Sequence, residues 1–391
     1  MKLSGLRVID LSMYLPGPHL TLMLADHGAE VIRIEPPGGE PSRHYGPYEE
    51  GTDGTPQSIW FRNLHRGKKS LCLNLKDPEG KEIFLKLCET ADVVVEAFRP
   101  GVMDRLGVGY SHVKARNPRI IYCSVSAFGQ TGPLREKATH DMGAQALAGV
   151  LSINDNGDGK PVVPGIPAAD MGSAMMGLAG VLMALYARER TGQGDHVDAT
   201  MYDTLLSFTA HLSASVIADK QPPQTRTGRS IGGAAFYNVY ETKDGRYIVL
   251  TGREPKFAEN LLTYLGRTDL IDLCKRDDCV AQEPVKAYLR DTFKTRTQAE
   301  WVEALSKLDL GWAPVLDLAE AFDVPHAKAR DMIVTDPKGR IHVGNPIKFA
   351  DGNAQLSFDS PALNQHADEL LTGLGYTPAA IADFKQRGVL G

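Results

Sequence analysis

The chain has 391 residues, which at roughly 100 to 200 residues per domain predicts two or three domains, and its 42% hydrophobic and 23% charged residues are typical of a globular protein. Its 43 Lys and Arg residues nearly balance 48 Asp and Glu residues, so bulk charge predicts neither a nucleic-acid nor a membrane partner. The five cysteines are odd in number and lack zinc-ligand spacing, which argues against a disulfide framework and a metal site. Disordered and fibrous chains are excluded, and the absence of a leader-like N-terminus predicts a cytoplasmic protein.

The N-terminal half alternates strand-like and helix-like segments. Residues 6–11 and 30–34 are short apolar runs on either side of a helical pattern at 21–28. The same cycle repeats twice, with strands at 70–74, 92–96 and 119–125 and helices at 78–90 and 110–116. This alternation predicts an α/β fold with a parallel sheet covered on both faces.

The rest of the chain predicts a change of domain. The longest uncharged stretch, 171–187, has 17 residues, short of the roughly 20 that a membrane span needs, and is interpreted as a buried core helix. A polar, Pro-containing linker at 219–229 precedes a hairpin pattern around Lys243-Asp244-Gly245. We therefore predict a large domain over 1–215, a smaller α+β domain over 225–325, and a return of 326–391 to the large domain.

Three polar residues are candidates for chemistry. Asp170 stands just before the apolar helix, where an aspartate is usually an N-cap but can also be a nucleophile or base beside helix amides. His140-Asp141 opens another helix, where the histidine is either a loop residue or an acid–base group and Asp141 a cap. Glu254 begins a helix and is by default solvated.

Basic residues collect at two loops. One group surrounds Gly67, and Arg99 and Arg105 flank Pro100-Gly101. The Gly67 group consists of Arg62, His65, Arg66, Lys68, Lys69 and Lys76. These residues are either a solvated basic surface or a polyphosphate site. No dinucleotide or P-loop glycine pattern accompanies them, which argues against a nucleotide cofactor.

Seven motifs follow one another along the chain. They are Leu6-Arg7-Val8-Ile9-Asp10-Leu11-Ser12, Gly17-Pro18, Leu24-Ala25-Asp26-His27-Gly28-Ala29-Glu30-Val31-Ile32, Arg66-Gly67-Lys68-Lys69-Ser70, Arg99-Pro100-Gly101-Val102-Met103, Phe128-Gly129-Gln130-Thr131-Gly132-Pro133 and Arg190-Thr191-Gly192-Gln193-Gly194. In this order they resemble class III coenzyme A transferases, also called the CaiB/BaiF family, which includes α-methylacyl-CoA racemases. The resemblance implies an interlocked, ring-like obligate homodimer, each subunit with a Rossmann-like CoA-binding large domain and a small domain.

The resemblance also implies roles for individual residues. Asp170 matches the family's catalytic aspartate, which in transferases carries CoA from an acyl-CoA donor to a carboxylic acid acceptor through a mixed anhydride and an aspartyl-CoA thioester. CoA is then a substrate, and no tightly bound cofactor or metal is expected. The predicted CoA-binding residues are Leu73, Lys76, Phe98, Arg99, Arg105 and Lys137. Leu15 replaces a glutamine of the formyl-CoA transferase branch, which argues against oxalate or formyl specificity.

Two alternatives remain open. In the racemase branch, His140 and Asp170 would exchange the Cα proton from opposite faces, with Glu254 supporting the histidine. The approach to Asp170 through Pro164-Gly165-Ile166-Pro167 favours the transferase. A CoA-binding scaffold without activity is the alternative of another class, and the intact Asp170 argues against it.

Overall fold

The computed structural model describes residues 1–51, 54–155 and 158–391, and these form two compact units. The larger unit comprises Met1–Ala148, Gly165–Phe208 and Pro325–Gly391, and the smaller comprises Gly149–Pro164 and Thr209–Val324. The segment Gly149–Pro164, which the sequence analysis places in the large domain, makes its contacts within the smaller unit.

A six-stranded parallel sheet organises the larger unit, with strand order β5-β2-β1-β6-β7-β8. The strands are β1 (Arg7–Asp10), β2 (Glu30–Glu35), β5 (Lys69–Cys72), β6 (Val93–Glu96), β7 (Ile121–Ser126) and β8 (Asp195–Thr200), and a separate hairpin pairs β3 (Tyr48–Glu50) with β4 (Pro56–Ser58). The predicted mixed α/β fold with a central parallel sheet is confirmed. The strand order reverses between β1 and β6, because β2 and β5 lie on one side of β1 whereas β6, β7 and β8 lie on the other.

Helices cover both faces of the sheet, as predicted. The helices of the larger unit are α1 (Pro16–Asp26), α2 (Ile59–His65), α3 (Pro78–Glu89), α4 (Val102–Leu106), α5 (Tyr110–Arg116), α6 (Asp141–Leu147), α7 (Ala168–Thr191), α8 (Met201–Phe208), α15 (Pro325–Ala329), α16 (Ala367–Gly373) and α17 (Pro378–Gln386). Residues of α3, α5, α16 and α17 pack on one face, and residues of α1 and α7 pack on the other. The C-terminal helices therefore belong to the same core as the first strands.

Helix α7 is longer than the apolar stretch from which it was predicted. It has 24 residues and is, among the described residues, the one helix whose length and composition would allow it to cross a membrane. Its inner face packs in the core through Ala174, Leu178 and Val181, whereas Met183 is 70% exposed. The prediction of a buried core helix therefore holds for one face only.

The smaller unit is built on a three-stranded antiparallel sheet, in the order β11-β10-β9. Its elements are α9 (Ala214–Asp219), β9 (Tyr237–Glu241), β10 (Tyr247–Thr251), α10 (Pro255–Tyr264), α11 (Ile271–Cys274), α12 (Glu283–Phe293), α13 (Gln298–Leu305), β11 (Trp312–Pro314) and α14 (Leu318–Asp323). The predicted hairpin around Asp244 is confirmed as β9 and β10. A short pair in the larger unit, β12 (Ile333–Thr335) and β13 (Ile341–Val343), completes the described strands.

Four residues of the basic group around Gly67 are buried, namely Arg62, His65, Arg66 and Lys68. Lys68 is 4% exposed, and its ammonium group lies 3.0 Å from Asp10, itself fully buried at the end of β1. Arg66 is 1% exposed and pairs with Asp26 at 2.8 Å. Both predictions are wrong for these four residues, because acidic residues of other elements lie beside them inside the protein. Lys69 is partly exposed and Lys76 is exposed.

Candidate active site

A cavity of about 330 Å³ opens in the larger unit where four parallel strands end. Its walls come from the loops that follow β1, β6, β7 and β8. In open parallel sheets, ligands bind outside the carboxyl ends of the strands, where the strand order reverses. This cavity lies at that position, and five of the predicted site residues line it: Phe98, Arg99, Lys137, His140 and Asp170.

Asp170 lies in the first turn of α7 and lines the cavity, but it does not cap the helix. Asp141 does so from the neighbouring helix: one of its carboxylate oxygens accepts hydrogen bonds from the amides of Ala169, at 2.7 Å, and Asp170, at 3.1 Å. Gln145 donates to the other oxygen at 2.7 Å, which fixes the Asp141 carboxylate. The N-cap interpretation of Asp170 is therefore wrong, and its carboxylate is left available for chemistry.

The environment of Asp170 favours its protonated form. Burial is the larger cause and the negative charge of Asp141 is the second, and together they raise the pKa of Asp170 from 3.8 to about 7. A carboxylate whose pKa lies near neutrality is a stronger base and nucleophile than an ordinary aspartate, and about half of it is ionised at pH 7. Acidic residues with a strongly shifted pKa in a cleft are often functional, and Asp170 lines the cavity at the carboxyl ends of the strands.

His140 lies on the same cavity wall, one residue before α6. Its ring is exposed, and the ring of Tyr14 lies edge-on to it at 6.4 Å between centroids. Tyr14 has a left-handed backbone with φ of 64°, and its amide donates to the buried carboxylate of Glu40 at 2.9 Å. Glu40 thereby holds the loop after β1, and with it the Tyr14 ring, at the mouth of the cavity.

A basic edge lies beside the carboxylate. Arg99, Arg135 and Lys137 all line the cavity. A side chain at Gly101, which has φ of 81°, would meet the guanidinium groups of Arg105 and Arg135 at 3.0 and 3.3 Å. These two guanidinium groups therefore converge on one glycine, an arrangement that suits phosphate oxygens.

The remaining predicted residues lie elsewhere. Leu73 is 1% exposed and belongs to the core, so the structure gives its side chain a packing role. Lys76 and Arg105 are exposed side chains outside the cavity lining. Glu254 belongs to the smaller unit, where it is exposed and precedes α10. All four assignments stay predictions.

Three residues of the site were not singled out from the sequence as functional. Tyr14 and Arg135 line the cavity, and Asp141 caps α7. The Gly-Pro pattern after β1 marks a loop at a strand end and is the signal that would have pointed to Tyr14. Asp141 was recognised as a cap, but of its own helix, because the sequence does not show that α6 and α7 meet. The described residues contain no group of three or more His, Cys, Asp or Glu that would hold a metal ion.

Known proteins resemble this chain in both sequence and fold. Residues 3–367 match the model of CoA-transferase family III. An acetyl-CoA:oxalate CoA-transferase from Acetobacter aceti is 38% identical over 89% of both chains, and the human α-methylacyl-CoA racemase is 33% identical over 96% of this chain and 94% of its own. A crystal structure of a CaiB/BaiF family protein from Brucella suis superposes with a TM-score of 0.83 at 31% identity, covering 95% of this chain and 99% of that one.

Proposed function

Because the chain belongs to CoA-transferase family III, we propose that it transfers CoA from an acyl-CoA thioester to a carboxylic acid acceptor, with Asp170 as the nucleophile. The observation that carries the proposal is the Asp170 carboxylate, which lines the cavity with a raised pKa while Asp141 satisfies the helix amides in its place. The capping role that would otherwise explain an aspartate here is already filled.

The proposed reaction retains the thioester bond energy in two kinds of covalent intermediate, anhydrides and a thioester. The Asp170 carboxylate attacks the donor carbonyl and the C–S bond breaks, so CoA leaves as a thiolate and the donor acyl group remains on Asp170 as a mixed anhydride. The thiolate attacks the Asp170 carbonyl of that anhydride, which releases the donor acid and forms an aspartyl-CoA thioester. The acceptor carboxylate then displaces the thiolate to form a second anhydride, and the thiolate attacks the acceptor carbonyl to yield the new acyl-CoA and free Asp170.

In this proposal, basic residues bind the CoA part of the substrate, and the cavity binds the thioester and the acyl group. Arg99, Arg105 and Lys137, with Lys76, would bind the CoA phosphates through charge-assisted hydrogen bonds. A cavity of about 330 Å³ is at the small end of ligand sites and suits the thioester with a short acyl group. His140, which lines the same cavity, would contact the acyl group.

The racemase is the second candidate, and the same raised pKa supports it. A group with a pKa near 7 exchanges protons efficiently at neutral pH, and His140 supplies a second base on the same cavity. The identity to the human racemase is comparable to that shared with several named transferases. In this alternative Asp170 stays free of any acyl or CoA adduct.

A substrate panel separates the two candidates. The donors are acetyl-CoA and succinyl-CoA, and the acceptors are oxalate, mesaconate and glutarate, the acids for which the named relatives act. Mass spectrometry of the products would show new thioesters that require both the acceptor and Asp170. Asp170→Asn should abolish transfer, whereas Asp141→Asn, which keeps a capping oxygen, should retain it. Exchange of the Cα hydrogen of a 2-methylacyl-CoA in deuterated water without any acceptor, suppressed by His140→Ala, would replace the proposal with the racemase.

We further propose that the enzyme acts as an interlocked homodimer in the cytoplasm. Exposed apolar side chains on the outer face of α7, Met183 and Tyr186 among them, support a protein partner for that face. All five cysteines are free, which suits a reducing compartment. Light scattering that finds a 42.5 kDa monomer at working concentration would contradict the dimer.

A further inference from the structure

Glu96 is a buried carboxyl group that the proposed chemistry does not use. It is the last residue of β6 and is 4% exposed. The chain continues from it directly into the cavity wall formed by Ala97, Phe98 and Arg99. A buried acid at this point therefore lies beneath the turn that carries predicted CoA-binding residues.

The carboxyl group of Glu96 is tied to that turn and to the sheet. It accepts a hydrogen bond from the Phe98 amide at 2.7 Å. A second hydrogen bond joins it to the hydroxyl of Ser124, its register partner on β7. The Ser124 hydroxyl lies in turn 2.9 Å from Nε2 of His196 on β8. Three neighbouring strands, β6, β7 and β8, are thus linked through these hydrogen bonds.

This chain of hydrogen bonds has a preferred direction when Glu96 is ionised. The Ser124 hydroxyl then donates to the carboxylate, so its oxygen must accept the Nε2 proton of a neutral His196. Burial, the largest cause, lowers the pKa of His196, which favours the neutral ring. When Glu96 is protonated, it becomes a donor to Ser124, and its bond with the Phe98 amide loses the strength that charge assistance gives.

Several ionisable groups face Glu96. Asp104 and Asp198 oppose its ionisation, while the Phe98 amide and Ser124 favour it. From β7, Tyr122 and Cys123 also interact with the Glu96 charge. With burial as the largest cause, these groups raise the pKa of Glu96 from 4.5 to about 7. The hydrogen bonds from the Phe98 amide and Ser124 therefore stabilise the carboxylate.

We propose that Glu96 is a positioning residue for coenzyme A, whose ionised carboxylate holds the turn at residues 98–101 in its binding conformation and whose protonation loosens it. The inference rests on the proposed function, since it takes this turn as part of the CoA site. It adds a property of this chain: affinity for CoA is coupled to a proton that belongs neither to CoA nor to the nucleophile.

The test is the dissociation constant of free CoA between pH 6 and pH 8, measured by titration calorimetry on the Asp170→Asn enzyme, so that the nucleophile does not titrate. At pH 6, one unit below a pKa of about 7, roughly one tenth of Glu96 is ionised, so the dissociation constant should rise by up to about tenfold relative to pH 8. Dephospho-CoA is the matched ligand, because the 3′-phosphate of CoA itself titrates at about pH 6.

Two further substitutions test the residue in the same background. Glu96→Gln keeps the shape and an acceptor for the Phe98 amide but lacks the charge, so dephospho-CoA should bind it at both pH values with the weaker affinity that the parent shows at pH 6. Ser124→Ala removes a hydrogen bond that favours the carboxylate. The affinity of this variant for dephospho-CoA should therefore begin to fall at a higher pH. Asp104→Asn removes an opposing charge and should shift the fall to lower pH.

The outcomes separate this inference from the proposed function. No binding of CoA at any pH would overturn the proposed function itself. Tight binding with the same pH dependence in the Glu96→Gln enzyme, or with no pH dependence in the parent, would overturn the role of Glu96 and leave the transferase proposal intact. Binding to the Glu96→Gln enzyme that is as tight at both pH values as binding to the parent at pH 8 would show that the charge does not hold the turn and would also overturn it.

Discussion

Two largely buried aspartates of the larger unit, Asp10 and Asp170, have pKa values that are shifted in opposite directions. At Asp10, burial works to raise the pKa, but Lys68, Arg33 and two hydroxyl groups outweigh it and lower the pKa to about 2. At Asp170, burial acts together with the charge of Asp141 and raises the pKa to about 7. The two pKa values differ because the charged neighbours of Asp10 are the cations Lys68 and Arg33, whereas the charged neighbour of Asp170 is another acid.

The comparison separates stability from chemistry. The ionised Asp10 is a partner that the buried Lys68 needs, because an unpaired charge in the interior is strongly unfavourable. The ionised Asp170 costs the folded state free energy, a cost that function requires when a reactive carboxylate is kept near neutral pH.

Removing the cation of the buried pair should have the largest effect on stability. Lys68→Met leaves Asp10 with Arg33 at 3.6 Å as its remaining cation and should lower the free energy of unfolding by about 3–5 kcal/mol. Lys69→Met is the matched control, because the neighbouring lysine forms partly exposed ion pairs with Glu30 and Glu369 and should cost about 1 kcal/mol or less. Urea denaturation at pH 7.5 and fixed protein concentration measures both, and equal losses would contradict the account.

Asp10 should also contribute to acid unfolding. Its folded-state pKa of about 2 lies below the ordinary value of 3.8, so its contribution is complete above pH 4 and is lost as the pH falls through 2. The loss amounts to about 2 kcal/mol by linkage. Asp10→Asn should therefore unfold with a shallower dependence on pH between 4 and 2 than the unmodified protein. Parallel curves would show that Asp10 does not carry this dependence.

Asp170 should show the opposite linkage. Its pKa is raised, so the folded state holds the proton more tightly, and stability falls as the pH rises from about 4 to about 7. Asp170→Asn has no charge to bury and should be more stable than the unmodified protein at pH 8 by about 1–2 kcal/mol. At pH 5, where Asp170 is mostly protonated, the gain should shrink. A destabilised Asp170→Asn at pH 8 would indicate a structural role for the carboxylate.

Asp141 affects both the stability of the protein and the ionisation of Asp170 at the active site. Asp141→Ala removes the cap of α7 and should cost about 1 kcal/mol of stability. It also removes the charge that opposes ionisation of Asp170, so the acid limb of the pH–activity profile should move below its position in the unmodified enzyme. Asp141→Asn should shift the profile in the same direction with a smaller loss of stability. An unshifted profile in both variants would contradict the proposed influence of Asp141 on the nucleophile.

Local patterns predicted the sheet but not the electrostatics. The alternation of apolar runs with helical segments identified the strands, but it did not show that Asp170 and His140 line one cavity; only the family resemblance implied that they act together. The partners of buried charges were not predictable, since Lys68 and Asp10 are 58 residues apart and Asp141 reaches an amide 29 residues away. The basic residues around Gly67 show the same limit: sequence gives their charge, and only the fold shows that acids from other elements surround them.

The most direct test of the nucleophile is to find CoA on Asp170. The enzyme is incubated with an acyl-CoA donor in the absence of acceptor, quenched in acid, digested and examined by peptide mass spectrometry. We predict that the peptide containing Asp170 carries CoA as a thioester, that adding an acceptor acid removes the adduct, and that Asp170→Asn never forms it. An enzyme that transfers CoA between acids while Asp170 remains unmodified, or an Asp170→Asn variant that transfers at the unmodified rate, would contradict the account.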